Sequence, residues 1–303
     1  MNNKEHWLIS LDLTKMDNIL AEYTSFFTSI ISPKTITFLH VIESGPTARD
    51  LIEQFPELEN KEEFEKLLRS IIHEKIEAHF HESSIATHIV IREGRATEQI
   101  IDAVNTLKPD LLVMGKKIGY AGEGVIPKKI LKYVPVSILL VPENCRYSLQ
   151  KILVPVDFSE QSGKGVKTAM QLVENKKGGV TAQHIYRYRA QFFPYVLSDR
   201  EKQEADREIN KKKETFIKKY DISSDINFAI TLQNDGSFED AVYEQAINDQ
   251  ADLIIVSSKA KKLPNLMGHD FTDRLVDYAF GIPLFIQKNP ERYQKFLKSL
   301  FTS

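Results

Sequence analysis

Apolar positions along this chain fall into two kinds of pattern, short continuous runs and longer stretches of helical period. Ile152–Val156 and Asp252–Val256 are runs of the first kind, and runs with no polar alternation belong to strands covered on both faces. Glu62–Phe80 is of the second kind. It places Phe64, Leu67, Leu68, Ile71, Ile72 and Ile76 on one stripe and predicts an amphipathic helix. Gly94-Arg-Ala-Thr-Glu-Gln-Ile-Ile-Asp-Ala103 and Gly236-Ser-Phe-Glu-Asp-Ala-Val242 each open a helix after a strand, with carboxylates in the first turn where the helix dipole favours them. Strands and helices that alternate in this way predict an α/β fold, a parallel sheet with helices on both faces.

The pattern occurs twice. Leu8-Ile-Ser-Leu-Asp-Leu-Thr14 returns as Leu153-Val-Pro-Val-Asp-Phe-Ser159, a shift of 153 − 8 = 145. Thr35–Val41 returns as Val180–Tyr186, Asp110–Met114 as Asp252–Val256, and Ile138–Val141 as Leu284–Ile286, in the same order. The expected organisation is a domain over residues 1–146, a second over 147–290 and a helical tail over 291–303, joined near Asn144–Gln150 by a short polar link. At 303 residues the chain is long enough for two hydrophobic cores. In the tail Tyr293, Phe296, Leu297, Leu300 and Phe301 share one helical stripe that would dock on its own domain or on a second subunit. The first-domain insert runs from Glu43 to Ser84. Its counterpart, Ser198 to Tyr220, is far more charged and follows Gln191-Phe-Phe-Pro-Tyr195, which suits a core segment, a loop anchor or a partner surface.

Composition narrows the function classes. Hydrophobic residues at 42% and charged residues at 27% are those of a globular chain, and no run reaches the roughly 20 apolar residues of a membrane-spanning helix. A formal net charge of −2 supplies no overall attraction to nucleic acid or anionic lipid. The opening Met1-Asn-Asn-Lys-Glu-His-Trp lacks the basic and apolar blocks of a secretory signal, so the expected address is the cytoplasm. Cys145 is the single cysteine, which excludes an intrachain disulfide and a thiolate metal cluster. No G-x-S-x-G elbow, H-E-x-x-H pair or complete G-x-x-x-x-G-K-[ST] loop occurs. His73, His79, His81, His88 and Glu77 are not spaced to converge on one metal ion from a continuous helix. Asp157 and Ser159 lack an evident histidine base.

Three elements together resemble the universal stress protein family: Val154-Pro-Val-Asp-Phe-Ser-Glu160 at the end of a first strand, Leu39-His-Val-Ile42 at the end of a second, and Leu111-Leu-Val-Met-Gly115 leading into a glycine loop. The resemblance spans both copies and leaves out the tail. It implies two tandem doubly wound domains, each an open five-stranded parallel sheet of the adenine nucleotide alpha hydrolase-like kind. Some family members bind ATP through a G-x-x-G-x9-G-[ST] loop and others do not. A crevice beyond the carboxyl ends of strands one and four is where doubly wound sheets hold ligands.

The resemblance transfers the candidate contacts to Asp12, His40, Val41, Met114, Gly115, Gly119, Gly122, Gly124 and Val125 in the first copy. In the second it transfers them to Pro155, Asp157, Ser257, Gly268 and His269. Both loops depart from the pattern. Gly119-Tyr-Ala-Gly122 satisfies the opening, but only Glu123 precedes Gly124, and Val125 replaces the hydroxyl residue. The second copy keeps Pro155 and Asp157, lacks the first two glycines and has His269 where a hydroxyl would stand. Lys116 and Lys117, or Lys259, Lys261 and Lys262, supply charge to an anion or are solvated surface. His40 and His184 stand at equivalent strand ends, as hydrogen-bonded structural groups or as ligand contacts. The expected function is a non-catalytic stress-response protein that binds a protein partner, another copy of itself or a small ligand. The alternative is an adenine-nucleotide sensor that binds ATP or AMP and hydrolyses it slowly.

Overall fold

The computed structural model describes residues 5–43, 61–81, 83–116, 125–173, 178–187, 198–233, 236–257, 269–278 and 281–288. The chain divides into two compact units, within residues 1–147 and 148–290. The expectations for residues 191–195 and for the tail lie outside the described residues.

The first unit runs β1 (His6–Leu11), α1 (Met16–Thr28), β2 (Thr35–Ile42), α2 (Lys61–Phe80), β3 (Ala86–Glu93), α3 (Ala96–Leu107), β4 (Leu111–Lys116), α4 (Val125–Tyr133) and β5 (Ser137–Pro142). Its strands lie side by side in the order β3-β2-β1-β4-β5, and every neighbouring pair is parallel. The second unit runs β6 (Lys151–Pro155), α5 (Glu160–Val173), β7 (Gly179–Tyr186), α6 (Asp199–Tyr220), β8 (Asn227–Leu232), α7 (Phe238–Asn248), β9 (Leu253–Ser257), α8 (His269–Asp277) and β10 (Leu284–Gln287). Its order, β8-β7-β6-β9-β10, is the same path repeated, again parallel throughout. The expected doubly wound, five-stranded architecture is therefore present in each half. Right-handed crossovers send the helices of the two winding directions to opposite faces, and α1 packs on α2 while α3 packs on α4.

Burial explains the unbroken apolar runs. Trp7, Leu8 and Ile9, Ile138 to Val141, and Leu253 to Ile255 are wholly buried, as strands covered on both faces must be. Helix α2 is narrower in its burial than its sequence stripe. Phe64, Leu68, Ile72 and Ile76 are buried in one i, i+4 row, whereas Leu67 is half-buried and Ile71 exposed. A helix over the β2–β3 margin of a sheet meets it along one row, and Phe38 meets Phe80 there, ring to ring at 5.7 Å. The helix entries differ between units. Helix α7 begins with a capping box, Ser237 with Asp240, while its counterpart α3 follows Arg95 and has no side-chain cap.

Candidate functional site

Strand order reverses at β1 in the first unit, because β2 lies on one side of it and β4 on the other. Chain leaving β1 and β4 therefore diverges to opposite faces and leaves a crevice beyond their carboxyl ends. Asp12 sits at its lip, exposed, directly after β1. Its Oδ1 accepts from the Thr14 amide at 3.0 Å and from the Thr14 hydroxyl at 2.6 Å. The turn is held from below by Asp17, whose two carboxylate oxygens accept the Asp12 and Leu13 amides at 2.9 Å each. These two bonds hold Leu13 in the left-handed region at φ 60°, a conformation unusual for a residue with a side chain. Asp17 is fully buried, and Lys75 Nζ from α2 stands 3.5 Å away. Burial pushes its carboxyl up to about 6, against the pull of the Asp12 amide and of Lys75.

His40, at the end of β2, directs Nδ1 to the Leu11 carbonyl at 3.2 Å. A carbonyl only accepts, so Nδ1 carries the proton. Burial holds its pKa below the usual histidine value, and the neutral ring ties β2 to the last residue of β1. Val41 and Met114 are buried in the sheet. Gly115 is tightly approached, since a Cβ on it would lie 2.5 Å from Met16 Cγ. The first turn of α1 therefore packs directly on the end of β4.

The second unit builds the same turn with other groups. Pro155 ends β6, and Asp157, half-buried, accepts the Ser159 amide at 3.0 Å. Phe158 repeats the left-handed conformation of Leu13, also at φ 60°. His184 Nδ1 meets the Val156 carbonyl at 2.9 Å, as His40 meets Leu11, and burial again lowers its pKa. The Phe158 ring lies over His184 with centroids 4.2 Å apart, and Phe216 of α6 packs on Phe158 at 5.5 Å. Where the first unit has Asp17, the second has Ser162 (17 + 145 = 162), hydrogen-bonded to Ser159.

The glycine that lets helix and strand approach has also changed sides. Ser257 stands at the position of Gly115 (257 − 142 = 115), and the close approach is made by Gly165 on α5, where a Cβ would lie 2.6 Å from Ser257 Oγ. Ser257 donates to Gln287 Oε1 at 3.4 Å, Gln287 Nε2 donates to Thr168 Oγ1 at 2.8 Å, and Thr168 donates to the Lys164 carbonyl at 3.1 Å. This buried chain turns Ser257 toward α5 and β10.

Of the remaining candidates, Val125 and His269 are the first residues of α4 and α8. Gly119, Gly122, Gly124 and Gly268 lie outside the described residues, as do Lys117, Lys259, Lys261 and Lys262. Lys116 is buried at the end of β4. Sequence reasoning passed over Met16, Asp17, Lys75, Phe158 and Gly165. Only Asp17 had a local signal, the Thr14-x-x-Asp17 spacing of a capping box, and the others depend on partners distant in sequence. It also passed over Lys288, which follows β10. Burial brings its ammonium down to about 8, against the nearby charge of Asp273 on α8. Burial pushes the Cys145 thiol up to about 11, so it is not a thiolate nucleophile. Among the described residues no three His, Cys, Asp or Glu side chains converge on a metal position, and no helix is long and apolar enough to cross a membrane.

Comparison with known proteins agrees with this geometry. A sequence model of the universal stress protein family matches residues 32–142 and 148–280. A universal stress protein of Synechocystis is 30% identical over 116 residues, 37% of this chain and 69% of that protein. Among solved structures, a universal stress protein from Archaeoglobus fulgidus is similar over 94% of this chain and 96% of its own, with a TM-score of 0.62 at 16% identity. A functionally unknown protein from Pseudomonas aeruginosa is similar over 99% and 98%, with a TM-score of 0.65 at 10% identity. At these identities the structural likeness speaks for the fold.

Proposed function

Starting from a chain that belongs to the universal stress protein family, we propose that it works in the cytoplasm as a non-catalytic binding protein, its two halves serving as domains for a protein partner or small ligand. One observation carries this reading. The histidines at the crevice, His40 and His184, are spent on strand-end carbonyls, and the aspartates Asp12 and Asp157 on the turn amides two residues on. Groups held this way shape the rim of the crevice, and the carboxylate–hydroxyl contact between Asp12 and Thr14 is a bond within the turn itself, with His40 turned to the Leu11 carbonyl instead. Incubating the full chain with ATP and magnesium and following phosphate by ³¹P NMR tests it. The expected release is no faster than in buffer; turnover that vanishes in Asp12→Ala or Asp157→Ala would overturn the reading.

A second reading, an adenine-nucleotide sensor in the first half, has its own support. Asp12 is exposed immediately beyond β1, and Gly115 stands next to the last residue of β4, the adjacent strand, in a register that aligns Ser10 with Met114. Asp12 would meet ribose hydroxyls, and the backbone beyond Gly115, with the start of α4, would receive the phosphates of ATP or AMP. The fit is partial, because Met16 already fills the space over Gly115. Bound nucleotide would bring its phosphoanhydride chemistry, while the chain contributes only orientation and charge.

A further inference from the structure

At the amino ends of the strands, opposite the crevice, the two units differ again. In the first, His6 Nε2 lies 2.8 Å from the Thr37 hydroxyl, and His6 faces Thr35 in the β1–β2 register. In the strand register His6 beside Thr35 and Leu8 beside Thr37 correspond to Lys151 beside Gly179 and Leu153 beside Thr181, so the matching residues are Lys151, Gly179 and Thr181, one position earlier in β7 than the sequence repeat aligns them. The replacement empties the position. Lys151 Nζ turns to Gln250 Oε1 at 3.4 Å, and a Cβ on Gly179 would meet nothing within 4 Å. What remains is a cleft of about 300 Å³ that Thr181, Asp225, Asn227 and Asp249 also line.

Two polar atoms of the lining residues have no hydrogen-bond partner among the described residues. Thr181 is only 9% exposed, and its hydroxyl makes no hydrogen bond among the described residues, whereas the same hydroxyl on Thr37 has His6. Asp249 Oδ1 accepts from Gln245 Nε2 at 2.9 Å, but its buried Oδ2 has no donor. A desolvated carboxylate oxygen without a donor is costly, so a site that keeps one is arranged for a donor from outside. Asp225 and Asp249 outnumber Lys151, whose neutral partner Gln250 leaves its charge in place, so the lining keeps a net charge of −1 that favours a cation. The volume suits a short carbon chain rather than a nucleotide.

We propose that this cleft binds a small primary amine cation, its ammonium donating to Asp249 Oδ2 and Thr181 Oγ1. The site is independent of whatever the crevice binds.

Putrescine titrated into the ¹⁵N-labelled full chain tests this, with sodium acetate and sodium chloride at matched ionic strength beside it. The expected result is saturable shifts of the Val180, Thr181 and Ala251 amides with a midpoint on the order of a millimolar, absent with either salt. Asp249→Asn should weaken binding about tenfold or more, through loss of a charge-assisted bond. Lys151→His with Gly179→Thr rebuilds the filling of the first unit and should abolish the shifts while the remaining spectrum stays native. Should that pair fail to fold, Thr181→Val provides the same test with a smaller loss. No saturable shift with putrescine, equal shifts with either salt, or undiminished binding in a folded variant would overturn the proposal.

Discussion

The two halves follow one chain path, yet they close the same junctions with different residues. Where helix meets strand in the first half, the strand carries the glycine and the helix supplies Met16; in the second, the helix carries Gly165 and the strand supplies Ser257. Where the turn after the first strand needs support, the first half buries a carboxylate, Asp17, and the second a hydroxyl, Ser162. Where threonine points from the second strand toward the amino end, one half gives it His6 and the other leaves an opening. A duplicated fold preserves the space to be filled more faithfully than the residue that fills it, because close packing restricts the sum of two facing volumes and not each one. Polar junctions are freer still, provided each buried donor keeps an acceptor.

The carboxylate is the difference with the largest consequence. Asp17→Ala strips acceptors from two amides and leaves Lys75 beside an apolar gap, so it should cost about 3 kcal/mol, while Ser162→Ala should cost only about 1 kcal/mol. Hydrogen exchange of β1 and β6 amides would assign each loss to its own half.

The pH dependence separates the halves next. Asp17 has a carboxyl raised from 3.8 to about 6 in the fold. A raised carboxyl stabilises the folded chain in its protonated form, fully below about pH 4, and that contribution is lost as pH rises through 6. Compared with Asp17→Asn, which does not titrate there, the native chain should gain roughly 2–3 kcal/mol in urea unfolding as pH falls from 7 to 4. The corresponding comparison for Ser162→Ala should be flat over the same window.

The exchanged glycine gives a smaller, sharper test. Gly165→Ala gains about 1 kcal/mol of helix propensity but drives a Cβ into Ser257 Oγ, for a net loss of about 1–2 kcal/mol. In a Ser257→Ala background the loss should shrink by about 1 kcal/mol, a coupling that a double-mutant cycle reads directly. Smallest is the helix entry. Ser237→Ala should cost about 1 kcal/mol by removing the cap of α7, and Arg95→Ser should return a few tenths or more to the uncapped α3.

Most of the scaffold was legible because its signals are local. The apolar runs at Leu111–Met114 and Ile152–Val156 marked covered strands, and the period of Glu62–Phe80 marked α2. The repeat then showed that both halves carry the same elements in the same order along the chain. The site was legible only in outline. Asp12, Gly115, Asp157 and Ser257 lie at the predicted strand ends, but Met16 over Gly115, Phe158 over His184 and Lys75 beside Asp17 depend on contacts made across the fold. The open position at Thr181 was illegible for the same reason. Its neighbour Lys151 has the chemistry to fill it and turns instead to Gln250.

The central claim is that the crevice groups of both halves are engaged in holding their own turns, which leaves neither crevice a nucleotide site. Calorimetric titration of the full chain with ATP and with AMP tests it most directly. The account predicts no saturable heat up to millimolar nucleotide. Binding at micromolar concentration, lost on Asp12→Ala, would contradict it and establish the first half as a nucleotide sensor.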